Sequence, residues 1–195
     1  MRGRNYRSIL IAISAVALCG CYPQFPDYPR TATAPANAPA IGLDWVRDAR
    51  ITTEEGYDAV IPQGQMNDYI RGGAADRLRR AGFNVVMLQL AVPPSRQIPN
   101  GFRGRTVVIT LNQVWTSVDS PLFYPAETDV ELSVEVYQGS AHEALFRRHY
   151  VGTHRQRLDF SLLNASKARV VVISAAIDSA LDRAFADESF QQALR

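Results

Sequence analysis

Thr128 to Tyr137 alternates more cleanly than any other stretch of the chain. Val130, Leu132, Val134 and Val136 take one parity; Asp129, Glu131, Ser133 and Glu135 take the other. A period of two puts these sets on opposite faces of a strand, which predicts a half-buried antiparallel strand with one wet face. Arg105–Thr116 predicts a second strand, with Val107, Ile109, Leu111 and Trp115 sharing a face. Ile41–Arg50 reads as the first strand, and Asn84–Val92 as a buried strand closed by Pro93 and Pro94. Leu145–Arg155 alternates poorly in either register, the pattern of an edge strand.

Two stretches repeat at helical spacing instead. From Gln65 to Ala81 the apolar positions are Met66, Tyr69, Ile70, Ala74, Leu78 and Ala81, and Gly82 follows where a C′ residue is needed. Gly72 and Gly73 cost such a helix about 1 kcal/mol each relative to Ala, which close packing on the sheet would offset. Ser166 to Ala186 carries a stripe of Val170, Ile173, Ile177, Ala180, Leu181, Ala184 and Phe185, with Asp178, Asp182 and Arg183 off it and Asn164 as candidate N-cap. The order β-α-β-β-β-β-α predicts an α+β two-layer sandwich: a mostly antiparallel sheet with two helices on one face.

Ahead of this domain the pattern changes. Arg2, Arg4 and Arg7 precede eleven apolar-rich residues from Ser8 to Leu18, too few to cross a bilayer as a helix. Leu18-Cys19-Gly20-Cys21 follows, and it resembles the lipobox of bacterial lipoprotein precursors. The resemblance implies cleavage between Gly20 and Cys21 and acylation of the Cys21 sulfur. The alternative is an ordinary secretory signal that leaves Cys21 as a free thiol. Tyr22 stands where Asp would mark inner-membrane retention, so the expected address is the periplasmic face of the outer membrane. Tyr22 to Ala40 then holds five prolines and reads as an extended tether, reaching roughly 60 Å at about 3.1 Å per residue. The expected divisions are 1–20 signal, 21–40 lipidated Cys and tether, and 41–195 a single domain.

Processing also changes the charge. The chain is formally +2, but loss of the three signal arginines leaves 18 basic residues against 19 acidic ones. A near-neutral domain argues against nucleic acid as a partner. Cys19 leaves with the signal and Cys21 is acylated, so no disulfide is expected.

Candidate chemistry is sparse. His149 and His154 lie five apart on a strand and should face opposite sides, which disfavours a two-histidine metal site. There is no HExxH helix, no Gly-x-Ser-x-Gly elbow and no phosphate-cradling glycine loop. No catalytic residue, metal or cofactor is therefore expected. Arg96, Arg103 and Arg105 lie in an acid-free loop, Pro93–Arg105, with Ile98 and Phe102 expected in solvent; the loop reads first as an ordinary flexible connection, and its arginines are candidate contacts for anionic lipid, lipopolysaccharide or an acidic envelope protein. Glu131 and Glu135 facing Arg147, Arg148 and His149 read as register support rather than as a site. The polar face bearing Thr110 and Asn112 is left open for a partner if the helices cover only the other one.

Several stretches together resemble the YajG-type family of bacterial envelope lipoproteins. They are the lipobox, Asp48-Ala49-Arg50, Leu78-Arg79-Arg80-Ala81-Gly82-Phe83, Ile109 to Trp115, Tyr137-Gln138-Gly139, Tyr150, and Ala176 to Leu194 with Asp187 before the short Phe190–Leu194 tail. The resemblance spans 41–195 and implies a non-enzymatic envelope lipoprotein serving as a binding or scaffold module. It brings no catalytic residues. The same element order is similar to that of accessory lipoproteins in lipid and lipopolysaccharide assembly or transport, which supply the alternative role.

Overall fold

A computed structural model describes residues 25–29, 31–50, 63–88, 102–118, 124–139, 143–158 and 165–195. Three long strands carry the sheet: β4 (Arg105–Val118), β5 (Tyr124–Gln138) and β6 (Phe146–Leu158), paired antiparallel in that order. Short strands complete it. β1 (Ala40–Leu43) lies parallel to β4 and to β3 (Asn84–Met87), and β2 (Arg47–Asp48) pairs parallel with β4 beyond β1. The spatial order is β3-β1-β4-β5-β6, so β6 is an edge strand, as its poor alternation predicts.

Helices α1 (Gln63–Arg80) and α2 (Ala165–Ala186) bury their stripes against one face of this sheet, except that Ala81, expected to end the first stripe, lies past α1 and is exposed. The α+β two-layer architecture is therefore present, with a third helix added. The tail expected after Asp187 is α3 (Glu188–Leu194), whose Phe190 and Leu194 are buried. Asp187 caps it by accepting the Ser189 N–H at 2.9 Å, and a cap of this kind contributes about 1 kcal/mol.

Local chemistry explains the element ends. Gly82 adopts φ +90°, and the Phe83 and Gly82 N–H groups donate to the Leu78 and Arg79 carbonyls. This is the paired bonding of a Schellman stop, the role expected of Gly82. α2 crosses β6 at Gly152, where an added Cβ would lie 2.0 Å from the Ala176 carbonyl oxygen and 2.3 Å from the Ala180 nitrogen. Gly152 thus sets how closely helix and sheet approach.

Four sequence expectations are corrected. Ile41–Arg50 is not one strand, because its register against β4 advances by four residues from Leu43 to Arg47 while β4 advances by three. The extra residue bulges the chain at Asp44, whose carboxylate accepts the Trp45 N–H at 2.7 Å. In β4 a second bulge lies between Leu111 and Gln113 and reverses the parity beyond it. Val107, Ile109 and Leu111 face the core as expected, but Val114 replaces Trp115 there and Trp115 is 49% exposed. Third, Asn84–Met87 is largely exposed, because β3 ends the sheet and borders only β1. Residues 89–92 of the expected strand lie outside those described, as do Pro93, Pro94 and Asn164.

The fourth correction concerns the tether. Residues 25–29, 31 and 32 do not run free but lie along α1 as a strap. Phe25 is buried and meets Tyr69 edge-on at 5.3 Å, and Tyr28 meets the same ring at 5.2 Å. Asp76, fully buried, accepts N–H groups from Thr31 and Ala32 at 3.2 and 2.9 Å. Gly72 owes its place to this strap, and Gly73 to the strap together with α2, rather than to the sheet. An added Cβ would stand 2.6 Å from Tyr28 Cβ at Gly72, and 2.9 Å from the Leu181 side chain at Gly73.

Candidate functional site

Two surfaces bring polar side chains together. The first lies between the strap and α1. The strap is held at both ends: the Phe25 N–H donates to Gln65 Oε1 at 2.8 Å, and Arg80 donates to Thr31 Oγ1 at 2.8 Å while pairing with Asp76 at 2.6 Å. Burial pushes the Asp76 carboxyl up, but the Ala32, Thr31 and Arg80 donors outweigh it and hold it below the usual carboxylate range. Arg77 ties strap and helices together, donating to the Tyr28 hydroxyl and pairing with Asp178 and Asp182 of α2. Burial, with the Asp178 carboxylate accepting its hydroxyl at 2.8 Å, pushes the Tyr69 phenol well above its ordinary value.

Between strap and helix a cavity of about 580 Å³ remains, lined among others by Phe25, Asp27, Tyr28, Asp68, Arg71 and Arg79. Arg71 is its most constrained member. It is nine-tenths buried, donates Nη2 to the Leu88 carbonyl at 2.6 Å and lies 5.1 Å above the Trp45 ring, while its buried Nε has no partner. Burial pulls the Arg71 pKa down, and the Asp44 and Asp68 carboxylates work against that. Burial raises Asp44 in turn.

The second surface is the sheet face opposite the helices. Asn112, set free by the β4 bulge, donates to Ser133 Oγ at 2.6 Å and to Glu131 Oε1 at 3.3 Å, and His149 Nδ1 lies 2.9 Å from the same Glu131 oxygen. Glu135 accepts from Arg147 at 2.5 Å and from the Tyr137 hydroxyl at 2.7 Å. The exposed Trp115 and Val151 flank this network. At the β1 end the face is covered, with Leu88 and Phe102 packed over Gly42 beside the buried Thr106 and Val108. The expected open face is thus open only toward β5 and β6.

The arginine trio separates. Arg105 donates to the Ala193 carbonyl of α3, which engages it in the fold, and Arg103 is exposed with its carbonyl accepting from Gln138. Arg96 and Ile98 lie outside the described residues, as do Gly20, Cys21 and His142. Phe102 packs on the sheet instead of standing in solvent. Arg148 also leaves its expected group: it points to the helix side and pairs with Asp187, which accepts the Tyr150 hydroxyl at 2.7 Å. His149 pairs with Ser133 and His154 with Thr128, so the two histidines do face opposite sides. The site residues missed by sequence reasoning are Asp27, Asp68, Arg71 and Arg79. Their signal was the spacing of the last three on one helix face.

Solved structures of other proteins resemble this one. A protein of Helicobacter pylori described as a neuraminyllactose-binding hemagglutinin homologue matches at a TM-score of 0.55 and 11% identity, over 87% of this chain and 96% of that one. This likeness shows a shared fold. Lipoprotein GNA1162 of Neisseria meningitidis matches at 0.45 and 14% identity, over 69% and 95% of the two chains. A minor lipoprotein of Acinetobacter baumannii matches at 0.47 and 7%, over 81% and 96%. No protein-family model and no curated protein matches the sequence. Among the described residues no helix is long and apolar enough to cross a membrane.

Proposed function

We propose that this chain is an envelope lipoprotein, anchored through Cys21 at the periplasmic face of the outer membrane, whose domain binds or scaffolds a partner without catalysing a reaction. The docked strap carries this reading. Phe25 is fixed on α1 and follows Cys21 by four residues, which reach at most about 14 Å when fully extended. An acylated Cys21 therefore holds the strap end of the domain close to the bilayer. Two or more acyl chains make such attachment stable, where one gives only marginal binding.

The non-catalytic part rests on how the acidic groups are used. Asp48 is held by Arg50, Asp76 by the strap, Asp178 and Asp182 by Arg77, and Asp187 by Tyr150, Arg148 and the α3 amides. These carboxylates serve the fold and are not free as general acids or bases. The open β5–β6 face, with Trp115 and Val151 beside a polar network, is the docking surface in this reading. A second role, in lipid handling, draws support from the cavity under the strap.

Mass spectrometry of the mature N-terminal peptide tests the anchor. A diglyceride on Cys21, and release of Cys21→Ser into the soluble periplasmic fraction, are the expected results; an unmodified Cys21 overturns the reading.

A further inference from the structure

The cavity under the strap is lined by charges of both signs. Asp68, Arg71 and Arg79 stand on one face of α1 at positions i, i+3 and i+11, and Asp27 lines the same space from the strap. Asp27, Asp68 and Arg79 form no ion pair with other described residues. Arg71 is nine-tenths buried, and its Nε is unpartnered. Phe25 and Tyr28 add apolar walls. Two guanidiniums suit a phosphate, which they grip with several N–H donors. A simple anion would meet repulsion from Asp27 and Asp68, whereas a ligand carrying a phosphate and an ammonium would satisfy all four groups.

We propose that this cavity holds the headgroup of a zwitterionic phospholipid of the ethanolamine class, its phosphate on Arg71 and Arg79 and its ammonium on Asp27 and Asp68. The lipid comes from the leaflet that holds Cys21, because the four-residue reach from Cys21 to Phe25 brings this cavity to the membrane surface. That placement rests on the anchoring proposed above. The headgroup assignment rests on the cavity alone.

Trp45, under the Arg71 guanidinium, reports on occupancy, and with Trp115→Phe it is the sole tryptophan of the chain. The processed chain carrying Cys21→Ser and Trp115→Phe is titrated with dihexanoyl phosphatidylethanolamine below its micelle concentration, with the phosphatidylglycerol analogue, and with inorganic phosphate. A saturable change in Trp45 emission is expected with the first, at least about tenfold weaker with the other two. Asp68→Asn and Arg79→Gln, both clear of the buried core, should each weaken it about tenfold, the effect of losing one charge-assisted contact.

Equal responses to the glycerol lipid or to phosphate overturn the proposal in favour of a plain anion site. Absence of saturation, or variants that bind like the parent, overturn it outright. Mass spectrometry of the unsubstituted protein separates the two readings: bare Cys21 with intact headgroup selectivity removes the anchor and keeps the site, and acylated Cys21 without selectivity does the reverse.

Discussion

Thr31 gives both its backbone N–H and its hydroxyl to one oxygen of the Asp76 carboxylate, each at 3.2 Å. With Ala32 and Arg80 on the same carboxylate, this buried acid is the main polar fastening of the strap. Asp76→Ala should destabilise the protein by about 2–3 kcal/mol, because hydrogen bonds to a charged group are among the stronger ones. Residues 31–40 should also become sensitive to protease. Urea unfolding and limited proteolysis check both, and an unchanged cleavage pattern would mean that the strap is held by its aromatic residues alone.

Acid should loosen the fold through the same groups. Hydrogen bonds and ion pairs outweigh burial and hold Asp76 and Asp187 below the usual carboxylate range. A carboxyl with a lowered folded pKa stabilises the protein above its unfolded value of about 3.9, and that contribution is lost as pH falls through the folded value. Asp44, raised by burial, works with the opposite sign, since its protonation relieves a penalty as pH falls. Urea midpoints should therefore decline below about pH 4. Asp187→Asn should flatten that decline, whereas Asp44→Asn should abolish a gain in stability that builds above it, as pH falls toward about 4.

Gly152→Ala should cost about 3 kcal/mol, the upper part of the usual range for overpacking. The atoms that the new methyl group meets belong to the α2 backbone, and they cannot step aside as a side chain does. Thermal unfolding gives the number. A loss below about 0.5 kcal/mol, the size of an ordinary surface substitution, would mean that α2 does not sit on β6 as described.

The bulge in β4 makes a paired prediction. Val114→Ala removes buried apolar volume and should cost about 2 kcal/mol. Trp115→Ala, on the open face, should stay within about 0.5 kcal/mol. The reverse order would place Trp115 in the core and erase the bulge.

The legible parts of the fold were those in which a single period ran uninterrupted. β5 kept its alternation through Val136, and α1 and α2 kept their stripes, because one buried face dictates every second or every third and fourth residue. Bulges defeat that logic. One unpaired residue at Asn112 exchanges the faces beyond it, and the hints were Gln113, polar at the parity assigned to the core, and Val114, apolar at the parity assigned to solvent. The strap was hidden by its prolines, whose density suggests an unattached chain. Phe25 and Tyr28 were the contrary signal, being large aromatic residues where a solvated spacer needs none. α3 could have been read from Asp187 followed by Phe190 and Leu194 at helical spacing. The cavity charges were half legible: Asp68, Arg71 and Arg79 share a helix face by their spacing, but Asp27 joins them only after the strap has docked.

Edge strand β6 has a consequence for assembly. Of its thirteen residues four are arginine and two are histidine. Were two copies to join through their outer β6 backbones, the arginine side chains would crowd one another along the seam. Electrostatic repulsion thus discourages the sheet from growing copy by copy into a fibre, and any neighbour recruited at this border must bring compensating negative groups.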